Sequence, residues 1–254
     1  MTAVSEASVH KTSYDRASCN IGIVHLGYGA FHRAHQAVFV DDYMHATGDL
    51  VWGIAAVNLR ASESPAFVKS SDVNEGYLLK TTSADGDRNY RLVRSHLQFL
   101  DWANDRDAAE NMIADKHVHA ITITITESGY CLADDGSLNA TDPVIRAELR
   151  GGHGTSIYAY LAGALERRKQ TTGLPVSILC CDNIRSNGKM LRGNFTAYLK
   201  LAGRGELAEW VDQNVSFPCS MVDRITPRAT DQLRSEIQAL APDFADDPVH
   251  GEAF

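Results

Sequence analysis

Apolar positions along this chain follow two rhythms. Short, nearly unbroken apolar runs occur at residues 20–26, 51–60, 117–126 and 174–181. Runs of that length are expected of strands buried on both faces of a parallel sheet, and the β-branched alternation within 117–126 makes it the clearest of the four. Between the runs, residues 31–47, 64–71, 104–114, 153–169, 187–202 and 205–213 read as helices. In 153–169, for example, Ile157, Tyr160, Leu161, Ala164 and Leu165 share one face. Strand and helix in alternation predict an α/β fold with a mostly parallel sheet flanked by helices. One segment breaks the pattern: residues 76–82, an Asp85-Gly86 turn and residues 90–94 predict a β-hairpin insertion. The polar residues 1–18 are expected to form a flexible tail, which leaves 19–254 as the folded domain. Residues 241–254 close neither a helix nor a strand in this reading, as in a chain cut off within a longer protein.

Composition narrows the class. The chain has 254 residues, 44% of them hydrophobic and 22% charged, enough for a sizeable core and too apolar for disorder. A formal net charge of −8 argues against nucleic acid or an anionic membrane as partner. No window approaches the roughly 20 apolar residues of a membrane span, and the N-terminus lacks the apolar core of a secretory signal. The five cysteines are scattered and odd in number, which fits reduced thiols and a cytoplasmic protein.

The first strand feeds a glycine turn. Gly27-x-Gly29 lies between the run at 20–26 and the helix expected from Phe31. A strand, glycine turn and helix in that order leave backbone N–H groups free to hold the pyrophosphate of a dinucleotide. The third small residue of the usual G-x-G-x-x-G/A fingerprint would fall at His32, so the glycines alone are a weak signal. His32 and His35 have a metal-compatible spacing, but no third ligand follows, and packing or capping explains them as well.

In a parallel α/β sheet, ligands bind at the carboxyl ends of the strands. Three further strand ends carry polar groups. Glu63, shortly after the second run, could accept from adenosine ribose hydroxyls and so favour NAD; it reads equally as a solvated acid at a helix start, and Arg60 keeps NADP open. Thr126 and Glu127 end the third run, where Glu127 has a capping reading. Asn183 ends the fourth with an amide able to donate to a developing alkoxide, or to form an Asx turn or cap for the next helix. Asp223-Arg224 reads from the sequence as a structural ion pair. No G-x-S-x-G elbow or phosphate loop of the G-x-x-x-x-G-K-[ST] type is present, which argues against hydrolase and nucleotide triphosphatase functions.

Four segments together resemble the polyol-specific long-chain dehydrogenase/reductase family, which includes mannitol 2-dehydrogenases, D-arabinitol 4-dehydrogenases and fructuronate reductases. They are Ile23-Val-His-Leu-Gly-Tyr-Gly-Ala-Phe-His-Arg-Ala-His-Gln-Ala37, Thr124-Ile-Thr-Glu-Ser-Gly-Tyr130, Cys181-Asp-Asn-Ile-Arg-Ser-Asn-Gly188 and Phe217-Pro-Cys-Ser-Met-Val-Asp-Arg-Ile-Thr-Pro227. The resemblance implies a Rossmann-type domain that binds NAD, a helical substrate domain beyond it, and metal-free hydride transfer on a small-molecule polyol or ketose. It implies that Gly27, Gly29, Ala30, Phe31, His32 and Arg33 line the cofactor and that Glu63 stands near the adenosine ribose. Thr126 and Glu127 would lie beside the nicotinamide, Asn183 would stabilise the alkoxide, and Asp223 would contact the cofactor region. The family's general base is a lysine in a K-x-x-x-x-N-x-x-H motif. That motif is absent from these 254 residues; Lys189 and Lys200 lack the following Asn and His. The chain by itself is therefore expected to supply a cofactor bed with little or no turnover. A hexuronate reductase of the same family, a non-catalytic NAD-binding module and an S-adenosylmethionine-dependent methyltransferase are the competing readings.

Overall fold

The computed structural model describes residues 9–72, 75–152, 154–222, 224–245 and 247–253. In chain order the elements begin β1 (Val9–Lys11), β2 (Ile21–Leu26), α1 (Ala30–Ala34), α2 (Gln36–Thr47), β3 (Gly53–Asn58), α3 (Ser64–Asp72), β4 (Tyr77–Thr82), β5 (Arg88–Val93) and β6 (His96–Asp101). There follow α4 (Arg106–Ala114), β7 (Ala120–Ile123), α5 (Pro143–Leu149), α6 (Ile157–Thr171), β8 (Val176–Cys180), α7 (Asn187–Leu201), α8 (Gly205–Asn214), β9 (Val215–Ser216), α9 (Asp231–Leu240) and β10 (Val249–Glu252).

Six strands form one sheet in the order β6-β3-β2-β7-β8-β9, every pair parallel. This is the doubly wound Rossmann order, with its switch point between β2 and β7, where a ligand crevice opens at the strands' carboxyl ends. β2 and β3 are apolar and buried almost throughout because helices cover both faces. The largest core cluster packs α4, α6 and α7 against one face, with Tyr160, Leu161, Leu165 and Phe195 among its fully buried members. Arg168 is completely buried there. Its guanidinium donates to the carbonyls of Ile113, Asp115, Val118, Leu174 and Pro175, joining the end of α4 to the approaches of β7 and β8.

The expected hairpin is present as β4 and β5, paired from Tyr77↔Val93 to Thr82↔Arg88. It belongs to a second sheet of order β1-β5-β4-β10. Alternation along β4 sends Tyr77 and Leu79 towards Ala34, Val38 and Ile54, while Leu78 meets Leu233 and Ile237 of α9. The hairpin is thus a packed layer between α1–α2 and α9.

Three expectations need correction. Residues 9–18 do not form a loose tail. β1 pairs with β5, the Thr12 and Tyr14 hydroxyls donate to the buried Asp41 carboxylate, and Arg16 donates to the His96 carbonyl. Residues 1–8 of the expected tail lie outside the described residues. Near the other end, Val249–Glu252 does close a strand: β10 pairs in parallel with β4, anchored by Arg224, which donates to the Glu252 and Ala34 carbonyls. The single helix expected over 31–47 is broken at His35, whose φ of −117° and ψ of −92° are not helical.

That break sits above a buried histidine cluster. His25 and His32 stack with ring centroids 3.3 Å apart, and His32 Nε2 lies 2.9 Å from His96 Nε2. His25 is also held between the Thr122 and Thr124 hydroxyls at 2.8 and 2.9 Å. Burial holds all three imidazoles neutral, pulling His96 down to about 3. An unfolded histidine protonates near 6.5, so the folded state resists protons that the unfolded state accepts as pH falls below that value. Unfolding free energy is therefore expected to decrease from pH 7 to pH 5, with about 2 kcal/mol lost at pH 5 through His96 alone. His96→Gln, which keeps a hydrogen-bonding side chain but cannot titrate, should flatten that slope in denaturant titrations. Identical slopes for the two proteins would contradict the assignment.

Candidate functional site

The switch point brings the ends of three strands together, with Leu26 opposite Ile123 and Ile123 opposite Cys180. Gly27 turns the chain out of β2 with φ of +101°, and its N–H donates to the Val57 carbonyl at 2.9 Å. A Cβ at Gly27 would lie 2.2 Å from the Thr124 carbonyl oxygen, so both the conformation and the space demand glycine. Gly29 is different. A Cβ there would meet no atom within 4 Å, and the residue faces an open cavity of about 420 Å³. The fold needs the first glycine and leaves the second unconstrained.

Gly29, Ala30 and Phe31 line that cavity on one side, where Gly29 caps α1 and the first-turn N–H groups have no partner within the helix. The side chains of the next two residues turn inward. His32 occupies the position of the fingerprint's third small residue, filled by its stack on His25 and its bond to His96. Arg33 is buried beneath the turn, 2.7 Å from the Asp247 carboxylate, with its guanidinium over the Tyr28 and Tyr77 rings. The cavity around Arg33, of about 310 Å³, is a different one and also carries Glu63. Glu63 ends the short turn after β3 and is exposed, paired with Arg60 at 3.0 Å. Arg60 reaches on to the Ile125 carbonyl at 3.2 Å, so this pair bridges the ends of β3 and β7.

Thr126 and Asn183 line the cavity opposite Gly29. Thr126 holds a backbone of φ 70° and ψ 158°, a region that only glycine enters without strain. Asp182 over-determines it. Its carboxylate accepts from the N–H of Ile125 at 3.0 Å, the N–H of Thr126 at 3.2 Å and the Tyr130 hydroxyl at 2.7 Å. Burial and that neighbouring carboxylate raise the Tyr130 phenol far above its ordinary value, so it stays a donor. Glu127 begins the 3-10 turn after Thr126 and is exposed.

Asn183 is exposed at the cavity and does not cap the next helix; Ser186 occupies the cap position of α7. The buried amide is Asn187, which donates to the Asp182 carbonyl and to Ser220 and accepts from the Ser220 N–H. It ties β8, α7 and the 217–222 segment together and so places Val222 on the cavity wall. Asp223 lies outside the described residues. Sequence reasoning gave no role to Asp182, Tyr130 or Asn187. The available signal was an acid directly at the end of a buried strand, beside the strand end that carries Thr126.

No helix among the described residues is long and apolar enough to cross a membrane. Residues 21–250 match the family model of the mannitol dehydrogenase Rossmann domain. A D-arabinitol 4-dehydrogenase of Ralstonia nicotianae is 37% identical over 91% of this chain and 50% of its own length. A mannitol 2-dehydrogenase of Pyricularia oryzae is 34% identical over 99% of this chain and 51% of its own. Among solved structures, the Pseudomonas fluorescens mannitol 2-dehydrogenase in ternary complex with NAD and D-mannitol superposes with a TM-score of 0.88 at 31% identity. That match covers 97% of this chain and 50% of the other. The chain thus spans about half the length of the relatives it matches.

Asp182 and Asn183 are adjacent but differ in their ties to the fold, and substitution separates them. Asp182→Ala leaves two N–H groups and a phenol without an acceptor and is expected to cost about 2–4 kcal/mol in urea unfolding. Asn183→Ala should stay within about 0.5 kcal/mol of the parent. The opposite ranking would contradict the roles assigned to this pair.

Proposed function

The chain belongs to the mannitol dehydrogenase family through its Rossmann domain, and from that footing we propose that it forms the NAD-binding part of a polyol dehydrogenase. The reaction is transfer of hydride between the cofactor and a CH–OH carbon of a D-arabinitol- or D-mannitol-like substrate, giving the ketose. The observation that carries this reading is the asymmetry of the two turn glycines. Gly27 is compelled by the Thr124 carbonyl, while Gly29 stands bare before a cavity that also carries the Asn183 amide.

NAD, when bound, supplies the hydride acceptor at its nicotinamide ring. In this chain the N–H groups following Gly29 are assigned to the pyrophosphate. Glu63 accepts from the adenosine ribose hydroxyls, and its negative charge disfavours a 2′-phosphate; its pairing with Arg60 engages the nearest cation that could offset this. Thr126 and Glu127 border the nicotinamide end. Asn183 donates to the oxygen on which charge builds, where a fixed donor stabilises the transition state more than the ground state. Asp223 retains the cofactor-region role that its family motif implies. The hydroxyl proton requires a base, and the lysine motif that serves the family is absent from these residues. Five free cysteines fit a reducing, cytoplasmic setting.

Fluorescence titration is expected to show saturable NADH binding, weaker NADPH binding, and no competition from S-adenosylmethionine. Glu63→Ala should narrow the NADH preference by roughly tenfold, equivalent to about 1.4 kcal/mol. Tighter binding of NADPH by the parent chain would contradict the role of Glu63. Robust NAD-dependent oxidation of D-arabinitol or D-mannitol by these 254 residues alone would contradict the assignment of the base to a lysine outside them.

A further inference from the structure

Thr124 stands at the switch point and lines the candidate cofactor cavity together with Gly29, Thr126 and Asn183. It follows β7 directly; its N–H donates to the Leu26 carbonyl, and its own carbonyl is the one that Gly27 passes. Thr122 and Thr124 are two residues apart, so both hydroxyls face the same side and bracket the His25 ring of β2. His25 is completely buried, and burial keeps its imidazole neutral, with one ring nitrogen protonated and the other bare. The chain of hydrogen bonds decides which. The single hydrogen of the Thr122 hydroxyl goes to Gln36 Oε1 at 2.9 Å. The 2.8 Å contact between Thr122 and His25 Nδ1 is then a bond only if Nδ1–H donates. His25 Nε2 is therefore bare and accepts from the Thr124 hydroxyl at 2.9 Å.

With its hydrogen committed inwards, the Thr124 hydroxyl offers the cavity only lone pairs, and no other described residue donates to them. We infer that Thr124 is a specificity-determining residue for the cofactor: its hydroxyl oxygen accepts from the carboxamide N–H of the nicotinamide, and His25 is the positioning residue that holds the oxygen in that role. The chemistry of the ring selects this donor. The carboxamide is carried on C3, beside the C4 that exchanges hydride, and Asn183 on the same cavity is assigned to the oxygen of the reacting carbon. The donor nearest the reacting atom of the ring is therefore the carboxamide NH2. A hydrogen bond there restrains rotation of the ring and so fixes the face that C4 turns to the substrate. The inference rests on the NAD reading, but the two fail separately, since the dinucleotide can bind without this contact.

Calorimetric titration with NAD and with its 3-acetylpyridine analogue reads the contact, because the analogue keeps the carbonyl and carries a methyl group in place of the NH2. This chain is expected to prefer NAD by roughly tenfold. Thr124→Val keeps the branched shape without the hydroxyl and should abolish most of that preference; Thr124→Ser should retain it. Binding of NAD with no preference in the parent chain, or with the same preference in Thr124→Val, overturns the inference and leaves the NAD reading standing. Equal weakening of both dinucleotides in Thr124→Val would place the hydroxyl on a ribose and overturn it as well. Long-range 1H–15N spectra of the chain with labelled histidine supply a second test that needs neither a variant nor a cofactor. A proton on His25 Nδ1 upholds the inference. A proton on Nε2 would make Thr124 a donor towards the cavity and overturn it.

Discussion

The approach of the Gly27 Cα to the Thr124 carbonyl is the constraint from which the site is built. β2 and β7 are parallel neighbours at the switch point, so the chain leaving β2 must cross the end of β7 at backbone distance. With 2.2 Å available to a Cβ, only a residue without one can cross there. Once it has crossed, the turn is fixed to Val57 on one side and opens Gly29 towards the cavity on the other. The helix that follows is short because His32 must drop into the cluster with His25 and His96, and the chain bends again at His35. A compact histidine stack thereby does the packing that a third small residue does in the usual fingerprint.

The opposite wall depends on a second local compensation. Thr126 holds a backbone conformation costing about 1–3 kcal/mol, and such strain persists only where the surroundings over-determine it. Asp182 supplies that through three hydrogen bonds. Asn187 then fixes the backbone of Asp182 to Ser220, and the 217–222 segment follows. The exposed groups at Thr126 and Asn183 therefore stand on Asp182, Tyr130 and Asn187, which hold the backbone beneath them.

The parallel sheet, the hairpin and the glycine turn were legible because local signals specify them: unbroken apolar runs, an Asp-Gly turn and paired glycines. β6 was not, since His96, Gln98 and Asp101 interrupt the apolar pattern of a strand at the sheet's edge. β1 and β10 were missed for a related reason. Each is short and owes its existence to pairing with a hairpin distant in sequence, which no local pattern encodes. Of the site, the glycines, Glu63, Thr126 and Asn183 were named from strand ends and family motifs. The inward turn of His32 and Arg33 could not be, because it depends on His25, His96, Tyr77 and Asp247, which come from four separate segments.

The central claim is that the cavity between Gly29 and Asn183 receives the dinucleotide. Backbone amide resonances of the isotopically labelled chain, followed as NADH is added, test it most directly. The account predicts the largest shifts at Gly29, Ala30 and Phe31 and at Thr126 and Asn183, with a second group near Glu63. Shifts centred instead on the face formed by Arg106, Gly152 and Arg204, with Gly29 and Asn183 unmoved, would contradict it.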